Sequence, residues 1–210
     1  MTFCFEDSID RVTKVIEAAG GKVISRSIAP GMSDLEIGIF EGQIGFRLDE
    51  GSRTLYRDCG EAWFRWELGK RLGGFEWPGF AEVKRRIENW NPYAEDMAEF
   101  ALKEVSLEFA SQLGRELVGK AYLVIDGGNG IDLMAHRDDG RVCLHDGSEL
   151  FNPEIPNLQF VAPSWSEFMA EWSTWCFQEP EGDWPQAVDP GGSGVRWGEP
   201  CFDPALRMEA

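Results

Sequence analysis

AYLVIDGGNGIDLMAHRDDGRVCLHDGSELFNPEIPNLQFVAPSWSEFMAEWSTWC, residues 121–176, is the stretch that decides the fold class. It opens with three short apolar strands, AYLVID, IDLMAH and RVCLH, separated by Gly127-Gly128-Asn129-Gly130 and by Asp138-Asp139-Gly140. Asn-Gly and Asp-Gly steps supply the positive φ angles of a tight hairpin, so the pattern predicts an antiparallel meander. After a loop, Ser164 and Glu167 form the S-x-x-E box that caps a helix start. Trp165, Phe168, Met169, Trp172, Trp175 and Cys176 then recur at helical spacing, a wide apolar stripe that has to lie against a core.

Working back toward the N-terminus, residues 8–19 predict an amphipathic helix with Ile9, Val12, Val15, Ile16 and Ala19 inward, stopped at Gly20-Gly21. A polar connection containing Pro30-Gly31 leads to a second capping box, Ser33 with Glu36, and a short helix carrying Leu35, Ile39 and Phe40. A further helix places Leu55, Tyr56 and Cys59 inward and stops at Gly60. EAWFRWEL alternates, with Trp63, Arg65 and Glu67 on one face and Phe64, Trp66 and Leu68 on the other, which predicts a strand. The segment between Gly73-Gly74 and Trp77-Pro78-Gly79 is its expected pairing partner. Phe80, Val83, Ile87 and Trp90 mark a helix ending before Pro92, and a longer helix is expected over residues 94–118. Strands clustered between helices, without regular strand–helix alternation, predict an α+β fold with one antiparallel or mixed sheet of about five to six strands. Residues 1–178 read as the domain, and the Pro/Gly-rich acidic 179–210 as a tail packed on or extending from it.

Taken in order, these segments resemble the SUKH superfamily over roughly residues 8–178. The likeness is carried by Phe46-Arg47-Leu48-Asp49 leading through Leu55-Tyr56 to the aromatic strand Trp63-Phe64-Arg65-Trp66. It continues through Tyr122–Ile125, Asn129-Gly130, Ile131–Ala135, Asp139-Gly140 and Val142–Asp146 with His145, and closes on Ala162, Ser164, Trp165 and Phe168. Asp49 stands where the family carries proline, and Asp58-Cys59-Gly60 replaces an asparagine-glycine helix end. The resemblance implies an α+β domain whose members are often immunity proteins that bind and neutralise a bacterial toxin, frequently a nuclease. Other members are scaffolds or regulatory interaction proteins.

Composition narrows the partner. The chain has 37 acidic against 20 basic residues, a net charge of −17. Such a surface repels phosphate backbones, which argues against nucleic acid, and would steer a basic protein toward itself, while acidity that merely maintains solubility is the equally open alternative. No apolar run approaches the roughly 20 residues that span a bilayer, and MTFCFEDS lacks the features of a secretory signal. A cytoplasmic protein with no membrane contact is expected. Cys4, Cys59, Cys143, Cys176 and Cys201 are scattered, fit neither a zinc site nor a disulfide framework, and are expected to be reduced thiols.

The search for chemistry assigns no catalytic residue, cofactor or metal. His136 and His145, with Asp132, Asp138, Asp139 and Asp146 nearby, could form a metal or acid–base cluster, but a solvated hairpin edge and a strand end account for them more simply. Gly127–Gly130 is followed by no helix and no Lys-Ser/Thr, so it is a turn and no phosphate loop. Ser33 and Ser164 are caps. Trp63, Arg65 and Glu67 share a strand face and form a candidate partner-binding patch, because Trp and Arg dominate interface hot spots. A covering helix or tail over that face is the equally open alternative. Asp138 and Asp139 complete the candidate set as carboxylates facing a basic partner, where they would mimic the charge of a toxin's substrate.

Overall fold

The computed structural model describes residues 3–104, 120–126, 131–146, 158–178 and 203–208. Helix α1 (Phe5–Ala18) leads into strand β1 (Lys22–Pro30), and helices α2 (Asp34–Ile44) and α3 (Glu50–Asp58) follow. Strands β2 (Cys59–Leu68) and β3 (Arg71–Trp77) precede the long helix α4 (Phe80–Glu104). Strands β4 (Ala121–Asp126), β5 (Ile131–His136), β6 (Val142–Asp146) and β7 (Gln159–Ala162) precede helix α5 (Trp165–Thr174) and a 3-10 turn at Pro204–Leu206. The chain is α+β, as its pattern predicts.

The single sheet expected from the sequence is corrected to two antiparallel ones among the described residues, β1-β2-β3 and β4-β5-β6-β7. Both edges of the first sheet resist extension. β1 ends in Pro30 and its register breaks twice against β2, features that blunt an edge. Beyond β3, Gly73 bridges to Gln178 and the Gly74 amide donates to the Phe177 carbonyl at 2.7 Å, so this edge is taken by the chain leaving α5.

β1 itself corrects the expected polar connection. Its side chains are half-buried or exposed throughout and its register slips around Ile24, so the period-two signal is blurred. α3 runs without a loop into β2, which makes Cys59 and Gly60 strand residues and removes Gly60 as a helix stop. Pro92 lies inside α4 and does not end it. Proline there deletes the bond to the Glu88 carbonyl, but Glu88 and Pro92 are both exposed and water can take the vacated place. The buried Trp90 and Ala94 on either side keep the helix packed. β7 was unforeseen because its four residues lie within what reads as a loop. The Gly127–Gly130 turn, the 105–118 part of the expected long helix, Cys201 and tail residues 179–202 lie outside the described residues.

The core forms where α1, α3 and α5 meet the inner face of the first sheet. Phe5, Ile9, Val12 and Ile16 of α1 are fully buried, while Ala19 is exposed. Phe5 packs on Phe75 and Trp77 at 5.8 and 5.6 Å, and Trp77 meets Trp165 edge-on at 5.7 Å. Leu133, Ala135, Val142, Val161 and Ala162 of the second sheet continue the same core.

Past α5 the chain turns sharply. Cys176 and Phe177 adopt φ of 55° and 52°, a region that side chains rarely tolerate. Three hydrogen bonds hold the turn: Trp66 Nε1 to the Cys176 carbonyl at 2.7 Å, Gly74 N to the Phe177 carbonyl, and Trp172 Nε1 to the Gln178 carbonyl at 3.0 Å. Residues 203–208 dock on the same corner. Leu206 is buried, its carbonyl accepts from Cys176 Sγ at 3.0 Å, and Asp203 exchanges two hydrogen bonds with the Gln178 amide.

Candidate functional site

Direct antiparallel partners share a sheet face, so the register assigns the outer face of the first sheet. Ser27, Trp63 and Glu76 stand in one row; Ser25, Arg65 and Gly74 in the next; Lys22, Glu67 and Leu72 in the third. Trp63, Arg65 and Glu67 therefore do share a face. The Trp63 Nε1 donates to Ser25 Oγ at 2.7 Å, which fixes the indole flat on the sheet. The Arg65 guanidinium lies over that ring at 4.8 Å, and Glu67 pairs with Lys22 at 2.8 Å. Arg65 is exposed and Trp63 half-buried, so a stacked indole–guanidinium pair faces outward from the central strand. Such a pair is a preformed hot-spot geometry with little ordering left to lose.

Asp138 and Asp139 sit elsewhere, on the β5–β6 turn of the second sheet. Asp138 faces Lys120 at 3.4 Å, while Asp139 binds Arg141 Nε at 2.6 Å and His136 Nδ1 at 3.1 Å. Among the described residues no hydrogen bond or ion pair joins these acids to the Trp63 patch. The five candidate residues thus form two separate features.

The two histidines are also kept apart. His145 is cross-strand from Asp132, whereas His136 lies at the far end of β5 opposite Ala121. His145 is buried with its ring edge-on to Trp90 at 5.1 Å. His136 instead orders the hairpin turn through Asp139. Among the described residues no group of three or more His, Cys, Asp or Glu could hold a metal ion.

Two features escaped the sequence reading. The first is Arg86 of α4, whose side chain is only 9% exposed. It binds Glu82 at 2.6 Å on its own helix, Glu76 of β3 at 2.9 Å, and the Val124 carbonyl of β4. One guanidinium thus ties α4 to both sheets, which its rigid fork of donors permits. Glu82 also takes a two-point grip from Arg85, and the Arg85 and Arg86 contacts hold its carboxyl down to about 2. Beside this knot a groove of about 360 Å³ is walled by Asn89, Trp90, Tyr93 and Asp132. Glu82 followed by Arg85 and Arg86 is a legible three-and-four spacing, although nothing in it announces a contact to two sheets.

The second is α2. Leu35 and Ile39 are 73% and 55% exposed, whereas Ile37 and Phe40 are buried. Phe40 stacks on Phe80 with centroids 3.9 Å apart. Glu41 reaches the largely buried Arg53 at 2.6 Å, so this ion pair pins α2 to α3.

Among the described residues no thiol is activated. Burial pushes the thiols of Cys143 and Cys176 up to about 12 and that of Cys59 to about 11, the reverse of what a nucleophile needs. No helix of the described residues is long and apolar enough to cross a membrane. No family model matches the chain, and no curated protein matches it.

Proposed function

We propose that this chain is a non-catalytic protein-binding module, an immunity-type protein of the SUKH kind that neutralises a basic toxin domain by covering it. The observation that carries the reading is electrostatic. Acids outnumber bases by 37 to 20, and much of the positive charge is already spent inside the molecule. Arg26, Arg53, Arg57, Arg86 and Arg141 all sit in ion pairs with the chain's own carboxylates. The uncompensated field is therefore negative, and it attracts a cationic surface evolved to hold an anionic substrate. The Trp63–Arg65 pair supplies a rigid aromatic anchor of the kind that such an interface needs at its centre. Occlusion requires no reacting groups.

The test uses the basic domain encoded in the adjacent reading frame, purified and titrated into the full chain by calorimetry. The expected result is a one-to-one complex whose affinity falls steeply with salt, together with loss of the domain's toxicity on co-expression. Absence of both complex and protection would sink the reading. A complex without protection would indicate a scaffold or regulatory module instead.

A further inference from the structure

We infer that the outward face of α2 is a docking surface for a basic amphipathic helix of a partner protein. The inference rests on the protein-binding reading and adds to it a second contact surface, distinct from the Trp63–Arg65 pair.

At 100° per residue, Leu35, Gly38, Ile39 and Gly42 fall on one side of α2, directly opposite the buried Ile37, Phe40 and Ile44. No polar side chain interrupts that stripe. Leu35 and Ile39 are two of the most exposed large apolar residues in the described chain. A surface helix that is apolar on both faces is the pattern of one buried twice, once by its own fold and once by a partner.

The fold gives no reason for the two glycines. A Cβ on Gly38 or Gly42 would meet nothing within 4 Å, and neither residue has a positive φ. Glycine is also the poorest ordinary helix former after proline, so its presence twice in an 11-residue helix works against local stability. What it leaves is bare backbone alongside Leu35 and Ile39, a shallow notch into which side chains of another helix can sink. Helix stability is meanwhile secured at the ends, by the Ser33–Glu36 capping box and by Gly45 at φ 78°.

Charge selects the occupant. On the helical wheel the stripe is flanked by the exposed Asp34 on one side and by Gln43 and Glu36 on the other, while Glu41 turns inward to Arg53. Hydrogen bonds from Arg57 to Asp34 and from Ser33 to Glu36 hold both carboxyls below their usual range, so they remain charged. A second copy of this chain would bring the same acids against these and add its own charge of −17. A helix with leucine or isoleucine at the same spacing and flanking lysine or arginine satisfies both the notch and its walls.

The test is a titration of the full isotope-labelled chain with a synthetic helical peptide of about four turns, leucine on one face and lysine elsewhere. A second peptide carries glutamate in place of lysine. The lysine peptide is expected to shift the amides of Gly38, Ile39 and Gly42, and the glutamate peptide to leave them unmoved. The double variant Leu35→Asp with Ile39→Asp should weaken binding by about tenfold or more. Gly38→Gln with Gly42→Gln should raise helix stability yet also weaken binding, which separates docking from folding. Shifts centred on Trp63 and Arg65, or spread evenly over the acidic surface, overturn the inference, as does unchanged affinity in either double variant. If the toxin domain binds wild type and Leu35→Asp/Ile39→Asp equally, the binding reading survives and this site for it does not.

Discussion

Gly73 and Trp66 face each other across the β2–β3 ladder, and a Cβ on Gly73 would stand 2.3 Å from Cζ2 of the indole. The glycine makes the slot in which the ring lies, and the ring's Nε1 reaches through to the Cys176 carbonyl. Gly73→Ala must therefore displace a fully buried tryptophan together with the turn that it holds. The expected loss is about 1–3 kcal/mol, the usual cost of overpacking, read from urea unfolding followed by tryptophan fluorescence. Combining it with Trp66→Leu should recover part of that loss, because the clash is then gone. Strict additivity of the two would contradict the slot.

Gly140 occupies the equivalent role between the second sheet and α3. It has φ 70°, and a Cβ would lie 2.1 Å from Cγ of Asp49. Asp49 caps α3 by accepting from the Ser52 amide at 2.9 Å and the Ser52 hydroxyl at 2.5 Å. Gly140→Ala adds backbone strain of about 1–3 kcal/mol and pushes the hairpin against the cap. Hydrogen exchange at the Ser52 amide should accelerate in the variant by more than the global loss of stability explains. An amide protected as in wild type would show that the hairpin yields without touching α3.

Acid should weaken the junction at Arg86. Glu82 titrates at about 2 in the fold against an ordinary 4.5, so folding favours its charged form. Its contribution is present above about pH 4.5 and drains as pH falls through 4.5 toward 2. Urea midpoints measured between pH 7 and 2.5 should fall with a component that Glu82→Gln abolishes. Arg86→Met should lower stability at every pH, since it strands the Val124 carbonyl and the Glu76 carboxylate together. Parallel pH curves for wild type and Glu82→Gln would refute the assignment.

Residues 203–208 should guard a thiol. Cys176 is fully buried, its Sγ donates to the Leu206 carbonyl, and Met208 N bonds to the Thr174 carbonyl at 2.7 Å. Deleting residues 203–210 is expected to raise the alkylation rate of Cys176 at pH 8 severalfold while Cys143 stays protected. Peptide mapping by mass spectrometry measures both in one sample, and equal rates at Cys176 before and after deletion would sink the idea.

Local rules were the legible part of the sequence. The Ser33–Glu36 capping box, the Ser164 side-chain cap, the alternation of Trp63 to Leu68 and the Trp165–Trp172 stripe form as their spacing dictates, because each depends on neighbours within a few residues. What stayed hidden depends on distant partners. β1 has little burial of its own and exists because β2 offers it a ladder. Leu35, Ile39 and Phe40 were legible as the apolar residues of α2, but which of them turns inward was not, since it is Phe80 stacking on Phe40 that sets the buried side. The Trp63 face was visible as a face, but its separation from Asp138 and Asp139 follows from a division into two sheets that no local pattern encodes. Pro92 misled for the opposite reason, since a helix anchored by Trp90 and Ala94 tolerates a proline that would break a free one.

The corner at Cys176 and Phe177 has a consequence for how the molecule is made. Phe3 meets Phe177 edge-on at 6.4 Å, and Leu206 binds the neighbouring Cys176, so residues 203 positions apart (206 − 3) converge on one point. Trp66 closes to the same corner over 110 positions. Contacts of such high sequence separation slow folding, since a long loop must close before any of them forms. On the ribosome, the aromatic core around Phe5, Phe75 and Trp77 must wait half-covered until α5 and the 203–208 segment emerge. During that interval β3 presents an open edge, of the kind that pairs with other strands until Phe177 and Gln178 arrive to cover it.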